Sequence, residues 1–200
     1  MDQIDEKFNF LMELIENDTW EPVSNLDNVR IQRKFLPGCA IACFMADGFV
    51  NANPDELMNF VWSIYENVES MKKYDPDISN YHIFSLPNTD ARLCYQINTL
   101  PWPLWHRDLV YLQSIKVTNN GKWFLMYSVE STDIPKKDEQ YVRAVINISA
   151  YGFVPEGNGC HVYRIAHVDP AGSIPSSIIN NYADKTSKMI KELRVIYSEN

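Results

Sequence analysis

The sequence predicts an α+β fold in which one antiparallel sheet is covered by a long C-terminal helix. Three observations lead there. Six β-type segments follow one another from Ile78 to Val168, broken by the turn-forming clusters Asn88-Thr89-Asp90, Asn119-Asn120-Gly121 and Gly157-Asn158-Gly159. Beyond them Ile178, Ile179, Tyr182, Met189, Ile190, Leu193 and Ile196 recur at helical spacing, the mark of a helix with one apolar stripe. Finally, 200 residues with no linker rich in Gly, Ser or Pro fit a single domain, residues 1–200, able to bury a substantial core.

The elements follow in order. Residues 2–16 place Ile4, Phe8, Leu11, Met12 and Ile15 on one face with acids early, predicting an amphipathic helix with a solvated polar face. Val29, Ile31 and Phe35 alternate with Arg30, Gln32 and Lys34, and Cys39 to Met45 is apolar throughout. The two runs read as paired strands joined near Pro37-Gly38, with a further strand after Gly48. Asn53-Pro54-Asp55-Glu56 is a helix start, with Asn as N-cap, Pro where its missing N–H is not needed, and acids facing the dipole. That helix carries Leu57, Phe60, Val61 and Ile64. A second short helix through Val68 and Met71 ends before Pro76, which disfavours helical backbone at the residue preceding it. Strands are then expected at 78–86, 91–98, 107–117, 122–131, 140–153 and 160–168, and short turns between them make an antiparallel meander. Ser173-Ile174-Pro175-Ser176 caps the last helix.

Composition excludes several classes of function. A net charge of -8 argues against nucleic-acid binding, which needs clustered Lys and Arg, and against polybasic anchoring to anionic membranes. No apolar run is long enough to cross a bilayer as a helix. Met1-Asp2-Gln3-Ile4-Asp5-Glu6 is acidic where a signal peptide is basic and a transit peptide Arg-rich, so a cytoplasmic location is expected, and separately a monomer. The sequons Asn17-Asp18-Thr19 and Asn147-Ile148-Ser149 are then chance. Cys39, Cys43, Cys94 and Cys160 form no C-x-x-C and read as reduced, buried thiols rather than a metal or redox site. No zincin spacing, nucleophile elbow, P-loop or Gly-rich dinucleotide motif occurs. His161 and His167 lie about 20 Å apart on an extended strand, at ~3.3 Å per residue, too far to share one metal. No catalytic residues, metal or cofactor are therefore expected.

The most telling segment runs from Leu100 through Trp102-Pro103-Leu104-Trp105 into Arg107-Asp108. Its prolines argue against helix or central strand and for a projecting loop, and two indoles in such a loop suit a membrane interface or a binding mouth. The strands that follow have mixed faces. Leu109, Tyr111 and Gln113 share one side, as do Phe124, Met126 and Ser128, and Val162, Arg164 and Ala166. Facing inward, these would line a ligand cavity; facing outward, they would leave the other parity as core. A dry core avoids such residues, because an unpaired buried polar group costs roughly 1–3 kcal/mol.

Tyr95-Gln96, Trp102-Pro103, Arg107-Asp108 and Tyr111-Leu112 together resemble the START family of lipid-transfer domains. Tyr74-Asp75 upstream, then Trp123, Ser128-Val129, Pro135, Val142-Arg143-Ala144 and Val168-Asp169-Pro170-Ala171-Gly172-Ser173-Ile174-Pro175 downstream extend the likeness over roughly residues 60–200. The branch it resembles is that of the ceramide-transfer and phosphatidylcholine-transfer proteins. The resemblance implies a helix-grip fold, with lipid held in a tunnel between a curved sheet and the last helix. It also implies membrane contact by Trp102, joined here by Leu104 and Trp105, and a gate formed by the Trp102 loop and the loop before Ser173.

Among the residues that hold the lipid head in the ceramide branch, the acid matches Asp75 and the Gln matches Gln96. The Arg position reads Met71, the Asn position Met126 and the Tyr position Arg164. Arg164 could supply the cation that Met71 removes, with Asp75 as internal partner and a phosphodiester as external one, since planar Arg suits phosphate. The expected ligand is a glycerophospholipid contacted by Asp75, Gln96, Tyr111, Gln113, Met126, Arg164 and Met71, and shuttled between membranes. Ceramide or sterol transfer, or a lipid-sensing module, are the alternatives. Gln113 stands where sterol binders carry an Arg, and Arg107-Asp108 reads as structural.

Overall fold

A computed structural model describes residues 3–16, 19–85, 91–131, 134, 141–172, 174 and 176–198. The Asn88-Thr89-Asp90 turn, Pro135, Ser173 and Pro175 lie outside those residues, as do the side chains of Ile178, Ile179 and Tyr182. The chain runs α1 (Gln3–Glu16), β1 (Glu21–Leu26), β2 (Val29–Phe35), β3 (Ala42–Val50), α2 (Pro54–Ile64), α3 (Val68–Tyr74), β4 (Ile78–Ser85), β5 (Arg92–Asn98) and β6 (His106–Thr118). It continues with β7 (Gly121–Ser128), β8 (Tyr141–Arg143), β9 (Val145–Glu156), β10 (Gly159–Asp169) and α4 (Ser176–Ile196). The strands form one sheet in the order β1-β2-β3-β10-β9-β7-β6-β5-β4, with β8 paired to β6.

Each face of the sheet carries its own core. On the inner face Phe124, Tyr151, Phe153 and Val162 pack against Leu57, Val61 and Ile64 of α2, Met71 of α3, and Met189, Ile190 and Leu193 of α4. α4 lies over β2, β3 and β10, α2 over β7 and β9, and α3 beside β4. On the outer face Leu11 and Leu14 of α1 cover Met45, Trp123, Leu125, Ile148 and Ile165. Trp123 opposes Gly152 across the β7–β9 pair, and a Cβ at Gly152 would sit 2.2 Å from the indole. Only glycine lets that ring lie flat on the sheet.

The structure corrects the sequence expectations in four places. β1, whose residues are all exposed, carries no apolar alternation and was not anticipated; it is held by its ladder to β2. Gly48 lies within β3 rather than ahead of a separate strand. The expected strand 140–153 breaks at Ala144 into β8 and β9, and β8 runs parallel to β6, so the sheet is not a pure meander. The cause is local: Ala144 N–H donates to the Asp108 carbonyl at 2.9 Å, while Arg143 grips the fully buried Asp108 carboxylate at 2.8 and 3.0 Å. Lastly, Leu14 joins Leu11 at the buried centre of the α1 face, which the half-buried Ile15 flanks, and Ile196 is exposed while Tyr197 is buried. A stripe drawn by spacing alone misses how far each helix is rotated on its sheet.

The outer face also holds a charge cluster. Asp47, nearly buried, accepts from Arg30 at 3.0 and 3.2 Å and lies 3.1 Å from His161 Nε2, while His161 Nδ1 lies 2.9 Å from Glu156. The Asp47 hydrogen bond, helped by Glu156, raises the His161 pKa against the effect of burial. Burial pushes Asp47 upward, yet its bonds from His161 and Arg30 prevail and hold it below the usual carboxylate value. His167, buried deeper on the same strand, is lowered by burial. The stabilisation from His161 is complete below its unfolded pKa of about 6.5 and is lost as pH rises through its higher folded pKa; that from Asp47 is present above about 3.9 and lost on acidification. His167 acts oppositely to His161, since stability falls as pH drops below about 6.5 and protonation of the buried ring is resisted. The two histidines separate by difference. Between pH 6 and pH 9 the wild type should lose more thermal stability than His161→Gln, in which His167 is unchanged; parallel Tm curves would contradict the coupling.

Candidate functional site

Between the sheet and helices α3 and α4 lies a cavity of about 240 Å³. Its apolar wall comes from Ile64, Met71, Ile78, Leu109, Met126, Ile146 and Met189, and its polar wall from Asp75, Asp77, Gln96, Asn98, Arg107, Ser149, Arg164, Lys185 and Lys188. The inward parity of β6, β7 and β10 therefore faces this space, in the residues Leu109, Tyr111, Met126, Arg164 and Ala166. Tyr111 donates its hydroxyl hydrogen to Gln96 Oε1 at 2.7 Å, and Gln96 Nε2 donates to Asn98 at 2.6 Å. Burial pushes the Tyr111 phenol well above its usual pKa, so it stays a neutral donor.

Arg164 lines the cavity but does not meet Asp75. Its Nη1 donates to Ser149 Oγ at 2.8 Å and to the carbonyls of Ala150 and Ile165, and its guanidinium lies over the Tyr151 ring, 4.5 Å from the centroid. All these partners are neutral, and Nε and Nη2 make no hydrogen bond among the described residues. Asp75, the expected partner, pairs instead with Lys185 of α4 at 2.9 Å, and Lys185 also reaches Asp77 at 2.6 Å. Burial works against the Lys185 charge, but Asp75 and Asp77 hold its pKa above the ordinary value. Lys188 donates to the Tyr74 carbonyl at 2.8 Å, satisfying the C-terminal end of α3.

Gln113 is placed elsewhere. It is fully buried, but its Nε2 donates to Tyr81 Oη at 3.0 Å outside the cavity wall, and Tyr81 in turn donates to the Tyr65 carbonyl at 3.0 Å. Met71 and Met126 line the cavity as apolar wall. Lys185 and Lys188 were missed by sequence reasoning. They lie on the polar positions of α4, where lysine ordinarily means a solvated face, and only the approach of α3 turns them toward the site.

The projecting loop holds its tryptophans out. Trp102 is 92% exposed and Trp105 57% exposed, while Leu104 is half-buried. The loop base is fixed by Leu100 N–H on His106 Nδ1 at 3.2 Å and by Leu104 N–H on the Pro101 carbonyl at 3.0 Å. Arg107 and Asp108 are both buried in structural bonds. Of the cysteines, Cys43, Cys94 and Cys160 are buried and Cys39 half-buried; burial pushes the Cys43 and Cys160 thiols up to about 12, which keeps them protonated. No described helix is long and apolar enough to cross a membrane.

A curved sheet that grips a helix over an internal cavity, with an apolar loop at its rim, defines the class of protein. The START domain profile matches residues 7–194, and the chain belongs to that family. Human ceramide transfer protein is 28% identical over 149 residues, covering 65% of this chain and 23% of that protein. Mouse START domain-containing protein 10 is 26% identical over 144 residues, covering 70% of this chain and 49% of that protein. The chain thus spans about a quarter to a half of the curated relatives it matches. Among solved structures, human STARD10 superposes with a TM-score of 0.77 at 20% identity, covering 97% of this chain and 79% of that one. Human StAR-related lipid transfer protein 5 gives 0.79 at 13% identity, covering 98% and 94%. At such identities these two establish the helix-grip fold alone.

Proposed function

We propose that the protein binds one amphiphilic lipid in the cavity between sheet and α4 and carries it between membranes without chemical change. The observation that carries this reading is the cavity itself, mostly apolar in wall area, with Arg164, Gln96, Tyr111 and Asp75 among its polar points and exposed indoles on the loop beside it. Each methylene left in water costs roughly 0.8 kcal/mol, so a carrier must shield the chains that the bilayer gives up. The family match and relatives named for lipid transfer support this, and no catalytic role is assigned to any residue. The ligand we favour is a glycerophospholipid, its phosphate on Arg164, because the acceptors of this guanidinium among the described residues are all neutral and an anion complements it. Trp102, Leu104 and Trp105 are proposed to contact the membrane transiently, with the protein peripheral and monomeric in the cytoplasm.

The test is transfer of a fluorescent phospholipid from neutral phosphatidylcholine vesicles to acceptor vesicles. With a net charge of -8 there is little polybasic attraction to screen. Transfer should therefore persist when salt is raised from about 0.05 to about 0.5 M, which shortens the Debye length severalfold. A requirement for anionic lipid, with collapse at moderate salt, would show that binding is electrostatic. Tight binding of lipid without extraction would identify a sensor instead of a carrier.

A further inference from the structure

The Trp-bearing loop and the segment that follows β10 are separate stretches of chain, yet one side chain joins them. Arg107, buried at the start of β6, donates from Nη1 to the Trp105 carbonyl at 2.5 Å. From Nε it donates to the Pro170 carbonyl at 2.6 Å, and from Nη2 to the Ala171 carbonyl at 3.0 Å. The receiving backbone is shaped for this. Ala171 and Gly172 both adopt left-handed conformations, with φ of 51° and 65°, and Ala171 N–H is held by Asp169 Oδ1 at 2.8 Å. A left-handed alanine is unfavourable unless its surroundings impose it. Arg107 also lines the cavity, and so stands where loop, segment and ligand space meet.

We infer that Arg107 is a positioning residue for lipid passage, a latch whose forked guanidinium keeps the Trp102 loop and residues 170–172 closed together, so that moving the loop into a bilayer frees the segment after β10. The inference rests on the membrane role proposed above for the loop, but the latch itself is a property of the protein in solution. The fork matters. Five donors in a fixed plane can span carbonyls on two segments, whereas a lysine ammonium acts as a point charge. Acceptors that are neutral carbonyls are also exchangeable, because a guanidinium bonds more strongly to phosphate oxygens when these come within reach. Contact with a phospholipid surface thus weakens the closed arrangement where opening is needed.

Hydrogen exchange read by mass spectrometry, on peptides covering residues 99–105 and 168–172, tests the latch. In lipid-free protein, Arg107→Gln should speed exchange in both peptides together by about tenfold or more, leaving peptides from α1 and β7 unchanged. Arg107→Lys, which keeps the cation but not the fork, should do the same at 168–172 and provides the test if Arg107→Gln fails to fold. Addition of neutral phosphatidylcholine vesicles to wild type should slow exchange at 99–105 and speed it at 168–172. Wild-type protection at 168–172 in the folded variants would overturn the latch, as would vesicle protection of the loop with no change in the other segment. Coupled exchange in the variants without any response to vesicles would keep the latch and overturn the membrane reading.

Discussion

Replacing Trp102 and Trp105 together by alanine is expected to slow extraction of lipid from vesicles at least tenfold while moving the Tm by no more than about 2 °C. The indoles are 92% and 57% exposed and belong to none of the three buried clusters, so the folded state loses little when they are truncated. The membrane-bound state loses much more. An indole carries ~150–250 Å² of surface, and at about 25 cal/mol per Å² even half of that moved into the interface is worth more than the ~1.4 kcal/mol that makes a factor of ten. Stopped-flow extraction of a fluorescent phospholipid, with thermal unfolding of the same preparation, measures both quantities. A double variant that unfolds readily yet transfers normally per folded molecule would make the tryptophans structural and end the membrane-contact reading.

The second large effect is expected at Arg164. Truncation to alanine should weaken phospholipid binding by about one to two orders of magnitude, since a charge-assisted bond is worth roughly 1.5–3 kcal/mol. Arg164→Gln, which keeps a donor near Ser149 and removes the charge, should separate phosphate binding from the packing on Tyr151. Asp75→Asn acts on different atoms. Because Asp75 holds Lys185 and not Arg164, its loss should loosen the contact between α3 and α4 and cost less in affinity, unless the lipid's own cation rests on the carboxylate. Competitive displacement of a fluorescent lipid decides the matter. Equal binding by wild type and both Arg164 variants would eliminate the phosphate assignment, and a preference for ceramide over every phospholipid would shift the reading to Gln96 and Asp75 as partners for amide and hydroxyl groups.

Much of this molecule could be read without coordinates because the signals are local. The N-cap at Asn53 accepts from Glu56 N–H at 2.9 Å, as an Asn-Pro-acid start requires, and α3 ends at Tyr74, ahead of Pro76. Period-2 alternation located the long strands of the sheet, and two prolines with two indoles announced a projecting loop whose exposure needs no distant partner. The family landmarks added the order of the strands and the presence of an internal space. β1 escaped because an exposed ladder strand carries no apolar pattern to read.

What only the tertiary structure decided are pairings between side chains far apart in sequence. Period and parity place Asp75, Arg164 and Gln113 on particular faces, but not opposite particular atoms. Arg164 is satisfied by Ser149 on the neighbouring strand, Asp75 is taken by Lys185 more than a hundred residues away, and Gln113 is drawn into a bond with Tyr81. Arg107 reaches Pro170, 63 residues further along the chain, and so joins two loops distant in sequence. Such choices depend on how far each helix is rotated and how tightly each strand is curved, and a long charged side chain settles on the nearest acceptors that the packing leaves to it. The sequence by itself therefore determined most of the elements, their order and the family resemblance; packing added β1, split β8 from β9, and decided which polar groups face the ligand space and which hold its walls together.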